Sequence, residues 1–423
     1  MMEEKPVIKT KTEVLRLILT FFAVAAVLMG LMILVALIPR SLIKDNMQAS
    51  AEYLEDKKLF GTRIKNVNGS KMDYYADSIL LGIIWQLDAK KPLESVMETG
   101  YYSDKYGYEN LALLSAVKED LPVNKEYLRY WHGSAVYLKP LFIFLNLRQI
   151  YMVNAFVLLL LLFLVVFKLY RLKAYAPILA IVLGLVTVSA WFVPLTLEYT
   201  WCFMLMLLFS ILTVNALSKG KENRLIYYFL VFGMLTAFFD FLTTELIVLF
   251  IPLLIVIWYE VNKNHKEINI VQYIRYCILW FCGYVSMWAL KWLLAGIVLG
   301  RNVWHDVSSQ IEYRINGKVK GTALLRNLKC LFPFEYGTAG VIAGLLLIVA
   351  VLCFAFIFHK KACNKKLCVI YLIIAVIPYL RYLILRNHSY IHCFFTYRAQ
   401  LITVFALILF MDEITAMKKK NNL

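Results

Sequence analysis

The residues best suited to bind an anion lie close together near the C-terminal end of the sequence. Three arginines and two histidines occur within eighteen residues, interleaved with aromatic residues: Arg381, Arg386, His388, His392 and Arg398. A guanidinium group donates several hydrogen bonds in one plane, a geometry that matches phosphate. We predict that these side chains and the neighbouring Tyr397 bind a phosphate group. The alternative is that these arginines lie at the membrane interface and only extend their guanidinium groups into water.

The two histidines of this segment are separated by four residues, so a helix would place His388 and His392 on one face. A metal ion is conceivable there, but no carboxylate or third histidine lies nearby in sequence. Hydrogen bonding or contact with an anion is the preferred interpretation. No cofactor is predicted, and a divalent metal stays open. The eight cysteines are scattered and form no Cys-x-x-Cys pair, which argues against a disulfide framework or a zinc site.

Asp77 is the acidic residue that we single out as a candidate catalytic base. It opens a segment with a helical apolar face, so the helix dipole alone could favour a carboxylate there. Asp73 and Asp104 are weaker alternatives that we expect to be solvated. Further candidate ligand contacts lie in short connections, where pairing with the arginines is the competing explanation for the acids: His132, Glu198, Asp240 and Glu245.

Composition indicates that a membrane surrounds these residues. The chain has 423 residues, of which 61% are apolar and 17% charged, whereas soluble domains are about 45–50% apolar and about 25% charged. A membrane-spanning helix needs roughly 20 apolar residues. We predict about ten spans, with the first retained rather than cleaved: 14–38, 150–169, 175–194, 199–217, 225–240, 244–260, 273–300, 338–358, 367–385 and 397–412.

Basic residues collect in alternate connections of this arrangement. With ten spans they all fall on one side, and positively charged connections face the cytoplasm: Lys5, Lys9, Lys11, Arg16, Lys168, Arg171, Lys173, Lys219, Lys221, Arg224, Lys263, Lys266, Arg275, Lys360, Lys361, Lys365, Lys366 and Lys418–Lys420. We therefore predict an integral protein of the cell membrane with both termini in the cytoplasm. These cytoplasmic residues explain the net charge of +17, so we predict no nucleic acid as a partner.

The opposite, non-cytoplasmic side receives the two long connections, 40–149 and 301–337. Segments 74–87, 109–121 and 134–147 within the first have apolar faces, and we expect amphipathic helices lying at the membrane surface. We find no repeat or linker, so residues 1–423 are predicted to form a single transmembrane domain. The expected fold class is an all-α, polytopic bundle of about ten spans.

This organisation resembles the GT-C class of integral-membrane glycosyltransferases, which use sugars linked to polyprenyl phosphate. The shared features are a first span followed by a long external segment with surface helices and an aspartate, here Asp77. A further shared feature is a multi-span body whose short external turns carry acids and aromatic residues, here Trp191–Tyr199 with Glu198. The usual Asp-Glu or Glu-x-Asp pattern soon after the first span is absent. Asp77 stands alone, nearly forty residues beyond the span.

The resemblance implies transfer of a sugar from a polyprenyl-phosphate donor to a glycan, lipid or protein acceptor on the non-cytoplasmic side, within membrane lipids. Asp77 would deprotonate the acceptor hydroxyl, and Arg381, Arg386, His392 and Arg398 would stabilise the departing phosphate. Three alternatives stay open: an O-antigen-polymerase-like enzyme, a transporter or flippase of lipid-linked sugars, and a membrane scaffold or sensor. The sequence shows neither the paired repeats nor the broken helices typical of many transporters.

Overall fold

The computed structural model describes residues 10–358 and 363–415, and the described chain is all-helical, without a β-strand. Several basic residues that carry the topology prediction lie outside the described residues: Lys5, Lys9, Lys360, Lys361 and Lys418–Lys420. The orientation of the chain in the membrane therefore stays a prediction.

The α-helices are numbered in chain order. They are α1 (Thr10–Ala36), α2 (Arg40–Glu55), α3 (Tyr74–Gln86), α4 (Pro92–Glu98), α5 (Glu109–Glu119), α6 (Ala135–Leu141), α7 (Leu147–Arg171), α8 (Tyr175–Thr187), α9 (Leu197–Ser218), α10 (Leu225–Phe239), α11 (Leu246–Trp258), α12 (Ile270–Leu299), α13 (Trp304–Asn316), α14 (Ala323–Leu328), α15 (Thr338–Phe358), α16 (Lys365–Ile384), α17 (Arg386–Ile391), α18 (Cys393–Thr396) and α19 (Leu401–Thr415). Short 3-10 turns occur at Asn68–Ser70, Ala190–Leu195, Glu222–Arg224, Phe334–Tyr336 and Tyr397–Gln400, and a π-turn at Tyr259–Lys263.

Seven helical segments of the described chain are long and apolar enough to cross a membrane. They are Lys11–Ala36, Leu147–Arg171, Leu197–Ser218, Leu246–Lys263, Ile270–Leu299, Lys365–Ile384 and Cys393–Thr415. Each coincides with a predicted span. The other three predicted spans fall on α8, α10 and α15. The first two of these have 13 and 15 residues, which is short for about 30 Å of hydrocarbon. A count of about ten spans therefore stays a prediction.

The candidate spans divide into interior and peripheral helices. In the most apolar stretch of α9, 78% of the residues are buried, whereas in those of α1, α7 and α12 only 22% are. Large apolar side chains such as Phe22, Phe156 and Phe281 project outward from the peripheral helices. In water this surface would be unfavourable, so a lipid environment explains it.

The segment 40–149 is not a detached domain. Its helix α3 packs on α9, α4 packs on α1 and α12, and α2 packs on α7. The expectation that residues 74–87 form an amphipathic surface helix is wrong, because α3 is buried on nearly all sides. The amphipathic helix of this segment is α2, which buries Ile43, Met47 and Leu54 along one face. The loop following α1 is thus a folded cap on one end of the bundle.

Candidate functional site

Three neighbouring cavities lie at this end of the bundle. An acidic cavity of about 120 Å³ is lined by Asp73 and Glu198. A polar cavity of about 340 Å³ shares Tyr75, Tyr127 and His392 with it. An apolar groove of about 230 Å³ runs along α12 and α13, and shares Arg129, Gln310 and Arg314 with the polar cavity. The polar cavity therefore lies between the acidic cavity and the apolar groove, whose shared edge carries two arginines.

The acidic cavity is built where the start of α3 meets the start of α9. Asp73 caps α3, and its Oδ1 accepts a hydrogen bond from the backbone N–H of Ala76 at 2.9 Å. The carboxyl group of Glu198 lines the same cavity and interacts electrostatically with that of Asp73. Burial raises the pKa of Asp73 to about 6, against the opposing effect of the Ala76 hydrogen bond.

Asp77 lies one turn further along α3 and is fully buried. Its Oδ1 accepts a hydrogen bond from the Leu197 N–H at 2.8 Å, and its Oδ2 accepts one from the Tyr151 hydroxyl. Burial raises its pKa to about 8. Burial therefore favours the protonated form of Asp77, against the opposing effect of these two hydrogen bonds. It is not among the residues that line the acidic cavity, but it holds the first residue of α9, next to Glu198.

The histidines of the site are neutral groups facing the cavities. His132 and His392 line the acidic cavity, and His388 and His392 line the polar cavity. Burial lowers the pKa of His132 and of His392 to about 3, and lowers that of His388 as well. The Nδ1 atom of each is buried without a hydrogen-bond partner among the described residues. These atoms are available to a polar ligand, but the rings bring no charge.

Two arginines stand where the apolar groove opens into the polar cavity. The Arg129 guanidinium lies 4.5 Å from the Tyr127 ring centroid, and that of Arg314 lies 5.7 Å from the Tyr130 ring centroid. Neither arginine forms an ion pair with a described residue, and the Arg129 Nε is buried without a partner. Their charge is therefore directed at the cavities rather than neutralised by the fold.

The groove below these arginines is almost entirely apolar. Its walls come from the lipid-facing side of α12, from α13 and from the chain around Tyr130: Tyr130, Leu242, Tyr284, Val285, Trp288, Ala289, Trp292, Val307, Ile311 and Leu385. The Trp292 indole donates a hydrogen bond to the Arg129 carbonyl at 3.0 Å. This contact fixes the cationic end of the groove to the helix that forms its wall.

Arg381, in contrast, is occupied by the fold. Its Nε and Nη2 bind the two carboxylate oxygens of Glu245 at 2.5 and 3.0 Å, and Nη2 also donates to the Leu242 carbonyl at 2.7 Å. Asp240 is likewise engaged by a local turn, since its carboxylate accepts hydrogen bonds from the N–H and hydroxyl groups of Thr243. These residues fasten the turn between α10 and α11 to α16.

The remaining predicted phosphate ligands are bound by other parts of the fold or are exposed. Arg398 is fully buried and donates to the carbonyls of Phe394 and Gly69 at 3.0 and 2.8 Å. The Tyr397 hydroxyl donates to the Val188 carbonyl at 2.8 Å, and Arg386 is exposed. Asp77 and the three predicted arginines line none of the three cavities, and their joint catalytic role stays a prediction. Of the phosphate ligands predicted in this segment, His388 and His392 line the cavities described above.

Sequence reasoning missed Arg129 and Arg314 and undervalued Asp73, which is buried rather than solvated. Both arginines lie in polar parts of the long connections, where a cation looks ordinary. The available signal was aromatic context, because Arg129 lies between Tyr127 and Tyr130. Among the described residues, no group of three or more His, Cys, Asp or Glu side chains is arranged to hold a metal ion.

Comparisons with family models, curated proteins and solved structures gave no match to this chain.

Proposed function

We propose that this protein is a membrane glycosyltransferase that moves a sugar from a polyprenyl-phosphate donor to an acceptor on the non-cytoplasmic side. The observation that carries the proposal is the order of environments along the three neighbouring cavities: an apolar groove, two arginines without an ion pair, a polar cavity and two buried carboxyl groups. A lipid tail, a phosphate, a sugar and an acceptor hydroxyl would require these environments in the same order.

The apolar groove suits the part of a polyprenyl chain nearest its phosphate. Its aromatic and aliphatic walls would remove that part of the chain from the headgroup region. A volume of about 230 Å³ holds only a short stretch of such a chain. The remainder would lie in the bilayer against the exposed apolar face of α12.

Arg129 and Arg314 would bind the phosphate where the groove meets the polar cavity. Charge-assisted hydrogen bonds from guanidinium groups to phosphate are among the stronger polar contacts of proteins. As the bond between the anomeric carbon and the phosphate oxygen breaks, its electron pair stays on the phosphate. The two cations would stabilise that growing charge without rearranging.

Asp73 is the carboxylate best placed to accept the proton of the acceptor hydroxyl. With a pKa of about 6, it is largely ionised at neutral pH and still basic enough to act as a general base. The acceptor oxygen bonds to the anomeric carbon as its proton passes to Asp73. Asp77 is the weaker candidate, because a carboxyl group with a pKa of about 8 already holds a proton.

Donor binding in lipid nanodiscs tests this proposal. The probes are labelled polyprenyl-phosphate hexoses, with polyprenol of the same length as the phosphate-free comparison. Arg129→Gln and Arg314→Gln should each weaken binding about 10- to 100-fold, corresponding to about 1.5–3 kcal/mol for a charge-assisted hydrogen bond. The exposed Arg386 provides the matched control, and Arg386→Gln should leave the affinity within about twofold.

Two results would contradict the proposal. One is wild-type protein that binds no polyprenyl phosphate, and the other is wild-type protein that binds polyprenol equally well. Binding accompanied by movement of the intact lipid-linked sugar across the bilayer, without transfer, would instead favour the flippase alternative.

A further inference from the structure

Three segments of the chain carry many cations and no acid. They are residues 57–72, 313–330 and 381–400, with Lys57, Lys58, Arg63, Lys65, Lys71, Arg314, Lys318, Lys320, Arg326, Lys329, Arg381, Arg386 and Arg398. The fold brings them together at the end of the bundle that contains the cavities. Asn387 donates to the Tyr313 carbonyl at 2.8 Å, and Phe60 packs edge-on against Phe394 with ring centroids 6.1 Å apart.

Eight of these cations are exposed: Lys58, Arg63, Lys65, Lys318, Lys320, Arg326, Lys329 and Arg386. We call them the cationic surface. None forms an ion pair with another residue of the described chain. Elsewhere at the same end, cations do find carboxylates, as in Arg40–Asp120 at 3.0 Å and Lys91–Glu94 at 3.1 Å. Other exposed lysines of this end, such as Lys44, Lys90 and Lys105, also lack an ion pair. The cationic surface differs in the number of cations that it gathers from segments without an acid.

The cationic surface adjoins the acidic cavity through Lys71. The Lys71 ammonium lies 4.9 Å from the ring centroid of Phe60 and 4.3 Å from that of Phe394. Phe60 is itself a wall of the acidic cavity, and Lys71 interacts electrostatically with both Asp73 and Arg326. A polymer bound on the cationic surface would therefore pass Lys71 and Phe60 before it reached Asp73, the candidate base.

The chemistry of this surface indicates a polyanion. Clustered like charges repel one another, so a repeating counter-charge on a partner would be attracted and held there. The Arg326 guanidinium lies 4.3 Å from the ring centroid of Tyr390. Rings beside cations suit a partner that alternates sugar rings with anionic groups.

We propose that the acceptor is a polyanionic glycan, whose repeating phosphate or carboxylate groups lie on the cationic surface while one of its hydroxyl groups enters the acidic cavity. The last step rests on the proposed glycosyltransferase function, but binding of the polymer does not. The two ideas can therefore fail separately.

The test measures polymer binding by the full chain in phosphatidylcholine nanodiscs, without donor. The probe is fluorescent poly(glycerol phosphate), and neutral dextran of equal length is the comparison. The surface variant combines Lys318→Gln, Lys320→Gln, Arg326→Gln and Lys329→Gln. The control removes four other exposed lysines of the same end, with Lys90→Gln, Lys91→Gln, Lys105→Gln and Lys118→Gln.

We expect wild type to bind the polyanion and not the dextran, with affinity falling as salt is raised. The surface variant should lose about tenfold or more in affinity, and the control should stay within about twofold. Both variants should unfold at the same temperature as wild type in the same nanodiscs, which shows that they are folded.

Equal binding of dextran, no binding of the polymer by wild type, or equal loss in both variants would overturn the proposal. A separate experiment tests for a fourth contrary result. In it, spin-labelled phosphatidylglycerol is added to detergent-solubilised protein. If that lipid is immobilised by wild type but not by the surface variant, and displaces the polymer, the surface belongs to lipid headgroups. Failure of donor binding, in contrast, would bear on the proposed function alone.

Discussion

The junction of α3 with α9 and the connection from Arg381 to Arg398 both bury ionisable groups, but they use them differently. At the junction, Asp73 and Glu198 line a cavity. In the connection, Arg381 is bound by Glu245, and Arg398 by backbone carbonyls. Buried charge alone therefore does not mark a ligand site. A buried atom without a partner does not mark one either, since both Arg129 Nε and Arg398 Nε lack a partner among the described residues. The stronger sign is that Arg129 also lines two of the cavities, whereas Arg398 lines none of the three.

The largest effect is expected on the rate of sugar transfer when Asp73, the candidate base at the junction, is replaced. Asp73→Asn should lower it about 10²–10⁴-fold, the usual cost of losing a general base. Asparagine caps helices as well as aspartate does, so α3 should persist and donor affinity should stay near that of wild type. The measurement is single-turnover transfer in nanodiscs. Asp104→Asn is the matched control, because Asp104 also accepts backbone hydrogen bonds, from Tyr106 and Tyr108, but lies outside the cavities.

If Asp73→Asn keeps the rate of wild type, Asp73 is not the base and the difference between the two regions loses its functional meaning.

In the connection, the expected effect is on stability rather than donor binding. Arg381→Met leaves Glu245 buried without its partner, and breaking a buried ion pair in this way costs about 3–5 kcal/mol. The paired variant Arg381→Met with Glu245→Leu should recover much of that loss. Denaturant unfolding in detergent measures both. A stable Arg381→Met protein that no longer binds donor would return Arg381 to the binding site and remove the distinction drawn here.

The pH dependence of sugar transfer tests whether Asp73, at the junction of α3 with α9, is the base. Burial raises the pKa of Asp73 to about 6, and only the ionised carboxylate accepts a proton. The rate should therefore fall about tenfold per pH unit below that value and level off above it. The residual rate of the Asp73→Asn variant should not show this decrease at low pH. A wild-type rate that stays flat from pH 7 to pH 5 would exclude Asp73 as the titrating base.

The smallest effect is expected at Asp77, the residue that sequence alone favours as the base. Its pKa of about 8 means that asparagine imitates its neutral form, so Asp77→Asn should lower the rate less than tenfold, well short of base loss. The folded state holds this proton more tightly than the unfolded chain. Wild-type stability should therefore decline as pH rises towards 8, and the variant should lack that component.

Thermal unfolding between pH 5 and pH 8 measures the stability difference. Loss of transfer in Asp77→Asn as complete as in Asp73→Asn would restore Asp77 as a candidate base.

Much of the helical framework could be predicted from hydropathy, because lipid-facing and interior helices both require long apolar runs. All ten predicted segments are helical, although seven meet the length and hydropathy of a span. The burial of α3 could not be predicted, because the helices that cover it, α2, α5, α6 and α9, are separate in sequence and are brought around it only by folding. For the same reason, the long-range pairing of Arg381 with Glu245, 136 residues apart, is not visible in local sequence.

The two arginines at the apolar groove could not be identified from local sequence either. Arg129 and Arg314 are nearly two hundred residues apart in sequence, and only folding places both at the mouth of one groove. A dense local cluster such as Arg381–Arg398 attracts attention in a sequence. A site assembled from single residues on distant segments does not.

The central claim is that the donor lies along α12 with its phosphate between Arg129 and Arg314. Photocrosslinking measures this directly, with a polyprenyl-phosphate sugar carrying a diazirine in the isoprene unit next to the phosphate. After irradiation in nanodiscs and proteolysis, the label should lie in peptides containing Tyr284–Trp292 or Val307–Arg314, and excess unlabelled donor should remove it. Label concentrated in the peptide spanning Arg386–Arg398, or spread evenly over the lipid-facing helices, would contradict the account.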